Sequence, residues 1–365
     1  MKPLNALVFG SVTIDIITSI ASQAIERVTM QNATTSFLML EQGRKIEADK
    51  ISTFIGGGAA NVSVSMARQG VSARILSLTG RDLNAKKIKE RLLEENVNTN
   101  TLISIDGYDT GIGVLISAHD HNAAIFTHRG ANTRLNEQIL IDAPFNGSDL
   151  VYIAPLSDDS ADCFPSIVSK ARLAGSFIAT NPGIRQLSSR PEDFMRVIND
   201  VNLLTLNKVE LLALFPYLAD KITKHTSHAA TSGDKPLPNL LKTGLKVGAL
   251  SASLVDTINA ILSAGVTYVA VTDGADGAYL MNSETIYHVP PRKVKLKGTA
   301  GAGDAFASTL AAQLATGISP EKALTRANTN AASVVTETDT MTGLMHRKDI
   351  EDIDVCQDIQ MWPVK

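Results

Sequence analysis

The sequence predicts an α/β domain with a mainly parallel central sheet and a small β-rich lid, on three observations. Short β-rich apolar runs alternate with amphipathic stretches, the βαβ rhythm of a parallel sheet covered by helices. Two segments break that rhythm with the pattern of antiparallel strands around polar turns. Two glycine-rich turns each open a helix, and sheets of this kind bind ligands beyond the carboxyl ends of their strands.

Residues 6–9, 74–78, 150–153, 176–180, 203–206 and 267–272 read as buried strands. Between them, residues 61–69, 85–95, 164–173, 209–214 and 254–264 carry apolar side chains at helical spacing. Residues 35–55 and 111–129 are the two exceptions, with turns at Gln42-Gly43-Arg44 and His119-Asp120-His121-Asn122. A few inserted strands are too small to bury a core of their own, so they are expected together as a lid over the ligand end of the sheet. Residues 223–238 are rich in Thr, Ser, His, Gly and Pro and read as an exposed insertion. His225 and His228 within it have the spacing of metal ligands but no third ligand nearby.

Composition narrows the class of partner. The chain has 365 residues, 44% hydrophobic and 19% charged, with a net charge of −3. No field of one sign invites nucleic acid or a membrane surface, so a small molecule is the expected ligand. Cys163 and Cys356 stand far apart without metal-ligand spacing and read as reduced thiols of a cytoplasmic protein. Asn5, Gly10 and Asp15 interrupt any signal-peptide core, and nowhere do 18 apolar residues run together.

The strongest chemical signal is Gly298-Thr-Ala-Gly301-Ala302-Gly303-Asp304-Ala-Phe306, which runs into an alanine-rich helix. Small residues before a helix let backbone N–H groups face an anion, and the helix dipole favours negative charge there. Asp304, in the first turn, is placed to accept a proton from a hydroxyl aimed at a bound phosphate. A helix cap and a tight turn would use the same residues. The second turn, Gly56-Gly57-Gly58-Ala-Ala-Asn61, lets a polyhydroxy ligand approach the backbone, and the Asn61 amide offers a donor and an acceptor. Neither turn is a Walker A loop or a dinucleotide-binding Gly-x-Gly-x-x-Gly.

Taken together, residues 6–336 resemble the PfkB, or ribokinase-like, carbohydrate kinases. Gly57-Gly58-Ala-Ala-Asn61-Val-Ser63 with Gly70 and Gly80 is similar to the family's first signature, and Thr299 to Phe306 to its second. The resemblance implies a ribokinase-like three-layer α/β/α domain over residues 1–350. Residues 17–55 with 102–130 would form the inserted lid, and 351–365 a C-terminal tail. It implies ATP and Mg²⁺ as cofactors, with Asp304 the catalytic base and Gly301, Ala302 and Gly303 the anion hole. Asn207-Lys-Val-Glu210 matches the motif that organises Mg²⁺ and phosphates, largely through water. Asp15, Gly57, Gly58, Asn61 and Arg129 fall at substrate-binding positions. Asn207, Thr272, Gly274, Gly277 and Asn328 fall at nucleotide-binding ones.

Departures from the pattern refine these expectations. Gly298 replaces the family's usual Asp before the anion hole, which removes a charge that commonly helps hold a monovalent cation. Thr309 stands where a small residue is preferred, a change expected to affect helix packing alone. The expected reaction is transfer of the γ-phosphoryl group of ATP to a hydroxymethyl group of a sugar or nucleoside. An adenosine-type nucleoside kinase and a non-catalytic sugar or nucleotide sensor on the same fold are the alternatives. The apolar run Phe37-Leu38-Met39-Leu40 suggests a lid that pairs with a second subunit in a homodimer.

Overall fold

The computed structural model describes residues 3–20, 26–29, 36–39, 43, 45–117, 123–222 and 236–364. Its centre is a ten-stranded sheet among the described residues. From one edge, the strands run Gln360–Pro363, Thr285–Val289, Ala278–Met281, Tyr268–Thr272, Leu203–Asn207, Phe177–Thr180, Leu150–Ile153, Asn5–Phe9, Ser72–Thr79 and Leu102–Ser104. Pairing is parallel from Tyr268–Thr272 to Leu102–Ser104, and antiparallel at the other edge.

The inner strands are mostly apolar because both their faces are covered. In the strand Asn5–Phe9, Leu7 and Phe9 pack into one buried cluster and Ala6 and Val8 into the other. Helices Phe164–Leu173, Lys208–Leu218 and Leu254–Leu262 cover the first face; Gly58–Arg68, Leu83–Glu94, Ala302–Ala315 and Pro320–Val334 cover the second. The result is the expected three-layer α/β/α arrangement.

The lid is a four-stranded sheet in the order Ala48–Gly56, Thr13–Ile20, Gly111–Ser117, Ala123–His128. It leaves the core at the end of strand Asn5–Phe9, and Asn132 clasps the joint: its amide donates to the carbonyl of Val12 (2.8 Å) and accepts from the Val12 N–H (2.9 Å). Both backbone polar groups of Val12 are thereby tied to a buried side chain from the other lid connection.

Three expectations need correction. Segment 35–55 does not fold on itself: Ser36–Met39 pairs with Glu26–Thr29, and Ala48–Gly56 pairs with Thr13–Ile20. A strand-like pattern fixes period, not partner. Leu102–Ser104 belongs to the central sheet rather than to the lid. Gln360–Pro363 adds the last strand to that sheet, so residues 351–365 are not a tail outside the domain. Trp362, 2% exposed, supplies the apolar anchor that holds it there. Asp15 lies on the lid strand Thr13–Ile20. The turn at 119–122, His225, His228 and Leu40 lie outside the described residues, as do Gln42 and Arg44. Among the described residues no helix is long and apolar enough to cross a membrane.

Candidate active site

Two helix starts meet where the lid joins the core. Helix Gly58–Arg68 begins after Gly57, whose φ of 94° is one that side-chain-bearing residues avoid. A Cβ there would lie 2.6 Å from the carbonyl oxygen of Ser11, so glycine lets the turn close against the loop after the first strand. Helix Ala302–Ala315 begins after Gly301 in the left-handed region, where a Cβ would come 2.7 Å from the Cβ of Thr340.

Asp304 and Asn61 join these helices: Asn61 Nδ2 donates to Asp304 Oδ2 at 2.8 Å. Burial pushes the Asp304 carboxyl up to about 6; Glu210 and Asp15 push the same way, and the Asn61 hydrogen bond opposes them. Gly58 lies alongside: a Cβ there would be 3.8 Å from Asp304 Oδ1 and a tight 3.1 Å from the Cβ of Ala154. The carboxylate is thus anchored through one oxygen and titrates close to neutrality, which suits an acceptor of a hydroxyl proton.

Asp15 faces the same space from the lid. It is flanked by two glycines, since a Cβ on Gly56 would fall 1.9 Å from its Oδ2 and one on Gly113 2.6 Å from its Oδ1. Thr13 donates to Oδ1 at 2.9 Å, yet burial dominates and raises the pKa. Arg129 sits half-buried at the lid connection and donates to Ser157 Oγ at 3.2 Å. Burial and the neighbouring Arg185 lower its pKa, while Asp158 offsets part of the effect. It forms no ion pair with a described residue within 4.0 Å and is free to meet an anion or a diol.

Beside the Ala302–Gly303 turn that leads into Asp304 opens a cavity of about 610 Å³. It brings Thr272, Gly274, Gly277 and Asn328 together with Ala302 and Gly303 at the start of the helix Ala302–Ala315. Phe306, Val294, Leu296, Ala331, Ala332 and Val335 give it apolar walls that fit a planar base, and Arg292 and Lys293 add positive charge. The Asn328 amide is already committed to the carbonyl of Pro290 at 3.0 Å, so it shapes the wall.

Asn207 and Glu210 form a capping box. Asn207 Oδ1 accepts from the Glu210 N–H (2.9 Å) and Glu210 Oε2 from the Asn207 N–H (2.9 Å). Asn181 also donates to Glu210 Oε2 at 3.0 Å. Burial raises the Glu210 pKa against these two hydrogen bonds. Asn207 does not line the cavity, unlike the other nucleotide-side positions. No group of three His, Cys, Asp or Glu close enough to hold a metal exists among the described residues. One buried carboxylate with one oxygen committed fits a Mg²⁺ ion that keeps most of its water and is shared with phosphates.

Sequence reasoning missed several participants. Thr340 donates to Asn61 Oδ1 at 2.7 Å, and Asn181 braces Glu210. Tyr152, on the strand Leu150–Ile153, has a fully buried hydroxyl with no hydrogen-bond partner among the described residues, and burial with nearby Asp304 and Glu210 raises its pKa well above the ordinary value. Arg292 and Lys293 carried a readable signal, the alternation of basic and apolar residues in 291–297; the others are single polar residues with no local pattern.

The profile described as pfkB family carbohydrate kinase matches residues 22–347. The chain belongs to the PfkB family. A ribokinase of Mus musculus is 26% identical over 313 residues, covering 84% of this chain and 86% of the relative. Among solved structures, the Methanocaldococcus jannaschii nucleoside kinase superposes with a TM-score of 0.70 at 19% identity, covering 95% of this chain and 97% of its own. A putative ribokinase II of E. coli in complex with ATP and Mg²⁺ gives 0.69 at 19% identity, over 95% and 98% of the two chains. The PfkB fold is therefore shared along nearly the whole chain, and this PfkB protein is a phosphotransferase of the sugar and nucleoside kinase group.

Proposed function

We propose that this PfkB protein transfers the γ-phosphoryl group of ATP to a hydroxymethyl group of a sugar or nucleoside. The observation that carries the reading is the position of Asp304. It stands between a turn that opens onto the base-sized cavity and the lid carboxylate Asp15, anchored by Asn61 and with a pKa of about 6. Nucleotide and acceptor then meet at one carboxylate.

Phosphoryl transfer asks for little covalent chemistry but for close positioning and charge stabilisation. Asp304 takes the proton of the acceptor hydroxyl as its oxygen attacks the γ-phosphorus and the bond to the ADP oxygen breaks. Backbone N–H groups of Ala302, Gly303 and Asp304 at the start of the helix stabilise the charge on the moving phosphoryl group. Asp15, Gly57, Gly58 and Asn61 hold the acceptor diol, and Arg129 closes on it from the lid connection. Thr272, Gly274, Gly277 and Asn328 frame the nucleotide. Asn207 and Glu210 would hold Mg²⁺ through water; bound there, the ion neutralises phosphate charge.

Both acceptor classes occur among the relatives, a ribokinase and a nucleoside kinase. An ADP-release assay over a panel of sugars and nucleosides tests the reading. Release with at least one acceptor is expected. Binding without release across the panel would favour a non-catalytic sensor.

A further inference from the structure

Thr340 is 8% exposed and lies 279 residues from Asn61 in sequence, yet its hydroxyl donates to Asn61 Oδ1 at 2.7 Å. The other end of the same amide donates to Asp304 at 2.8 Å. An asparagine amide can turn end over end, and only one orientation presents N–H to the carboxylate. The loop around Thr340 is itself pinned. Asp339 Oδ1 accepts from the N–H groups of Met341 (2.8 Å) and Thr342 (2.7 Å), and Met345 N donates to Asn330 Oδ1 at 2.9 Å. Thr340 also packs where a Cβ on Gly301 would lie, against the turn that precedes Asp304.

We propose that Thr340 is a positioning residue for the base, fixing the Asn61 amide so that its NH₂ group faces the Asp304 carboxylate. The inference rests on the assignment of Asp304 as base. With its oxygen satisfied by Thr340, the buried amide has no reason to rotate. Without that donor the oxygen is orphaned beside a carboxylate, and the hydrogen bond that favours the ionised base weakens. The ionisable groups around Asp304 are Asp15 from the lid strand, Glu210 from the helix Lys208–Leu218 and Tyr152 from the strand Leu150–Ile153. All three disfavour its ionisation or are neutral, so Asn61 is the group that opposes them.

Losing the Asn61 hydrogen bond raises the pKa of Asp304, and a base that must be ionised then loses activity first on the acid side. Thr340→Val keeps the shape and removes the hydroxyl; Thr340→Ser keeps the hydroxyl. In kcat/KM profiles from about pH 5 to 9, Thr340→Val is expected to move the acid limb to higher pH, lowering activity near pH 6 several-fold more than near pH 8. The KM for ATP should be unchanged, and Thr340→Ser should restore the limb. Asn61→Ala should move the limb the same way, and the double variant should add little, because coupled residues are not additive. An acid limb in Thr340→Val identical to that of the parent, or additive effects in the double variant, would overturn the role of Thr340. Turnover retained in Asp304→Asn would instead remove the base assignment, and the relay with it.

Discussion

Asn61 Nδ2 and Asp304 Oδ2 lie 2.8 Å apart, although 243 residues separate them in the chain. One bond joins the first turns of two helices, each preceded by a glycine that no other residue could replace without a clash. The helices Gly58–Arg68 and Ala302–Ala315 therefore cannot move apart without disturbing this hydrogen bond.

Replacing Asp304 by Asn is expected to abolish turnover while ATP still binds. The amide keeps the size of the carboxylate but cannot take the hydroxyl proton. Loss of a positioned base lowers rates by roughly 10²–10⁴-fold. Steady-state turnover together with calorimetric titration of ATP checks both halves.

The pH profile follows from the same residue. Asp304 must be ionised to act, and burial, Glu210 and Asp15 raise its pKa to about 6. kcat/KM is therefore expected to fall as pH drops through about 6, above the ordinary carboxylate range, and to level off at neutral pH. A profile flat down to pH 4.5 would exclude this carboxylate as the base.

Much of this was legible in the sequence, for physical reasons. Uninterrupted apolar runs such as Leu150–Ile153 mark strands buried on both faces, and the helix Phe164–Leu173 shows its period with proline in the first turn. Glycine-rich helix starts are local too, so Gly57, Asn61, Gly301 and Asp304 stood out in short windows. The choice of strand partner did not: Ser36–Met39 pairs with Glu26–Thr29 through contacts that no alternation encodes. The strand Gln360–Pro363 carries only one buried anchor, Trp362, and a short edge strand with alternating exposure leaves little trace. Thr340 and Asn181 act only where the tertiary fold delivers them.

Thr309 has a larger part than its departure from the family pattern suggested. Its buried hydroxyl accepts from Gln69 Nε2 at 3.1 Å and Asn330 Nδ2 at 2.8 Å, linking three helices. Thr309→Ala leaves the buried Asn330 amide with only a 3.4 Å contact to Ser65 Oγ, whereas Gln69 keeps Ser65, and an unsatisfied buried group costs about 1–3 kcal/mol. Urea denaturation should show a lower midpoint at unchanged slope, and Thr309→Ser should recover most of the loss.

Gly113 is expected to be a specificity position by virtue of having no side chain. A Cβ there would lie 2.6 Å from Asp15 Oδ1, so Gly113→Ala must displace the lid carboxylate. A misplacement of about 1 Å can cost on the order of 100-fold in rate. The KM for the acceptor should rise and kcat fall, with the KM for ATP little changed; a rise confined to ATP would place Asp15 outside the acceptor site.

The last expectation concerns assembly, and we propose that the lid pairs with that of a second subunit. Within 37–40 only the Met39 side chain belongs to the described residues, and it is 49% exposed. Ala123–His128 and Ala48–Gly56 are the edge strands of the four-stranded sheet, and an open edge presents unpaired backbone groups to another chain. Ile125 is 62% exposed, Phe126 60%, and Ile51 64%. Large apolar side chains gathered on both edges of one small sheet favour a covering surface, and a second copy supplies one by symmetry. Light scattering at micromolar concentration should give about twice 38.9 kDa, the mass of one chain. Phe126→Glu should halve that mass with the circular dichroism spectrum unchanged, whereas a monomeric parent protein would refute the pairing outright.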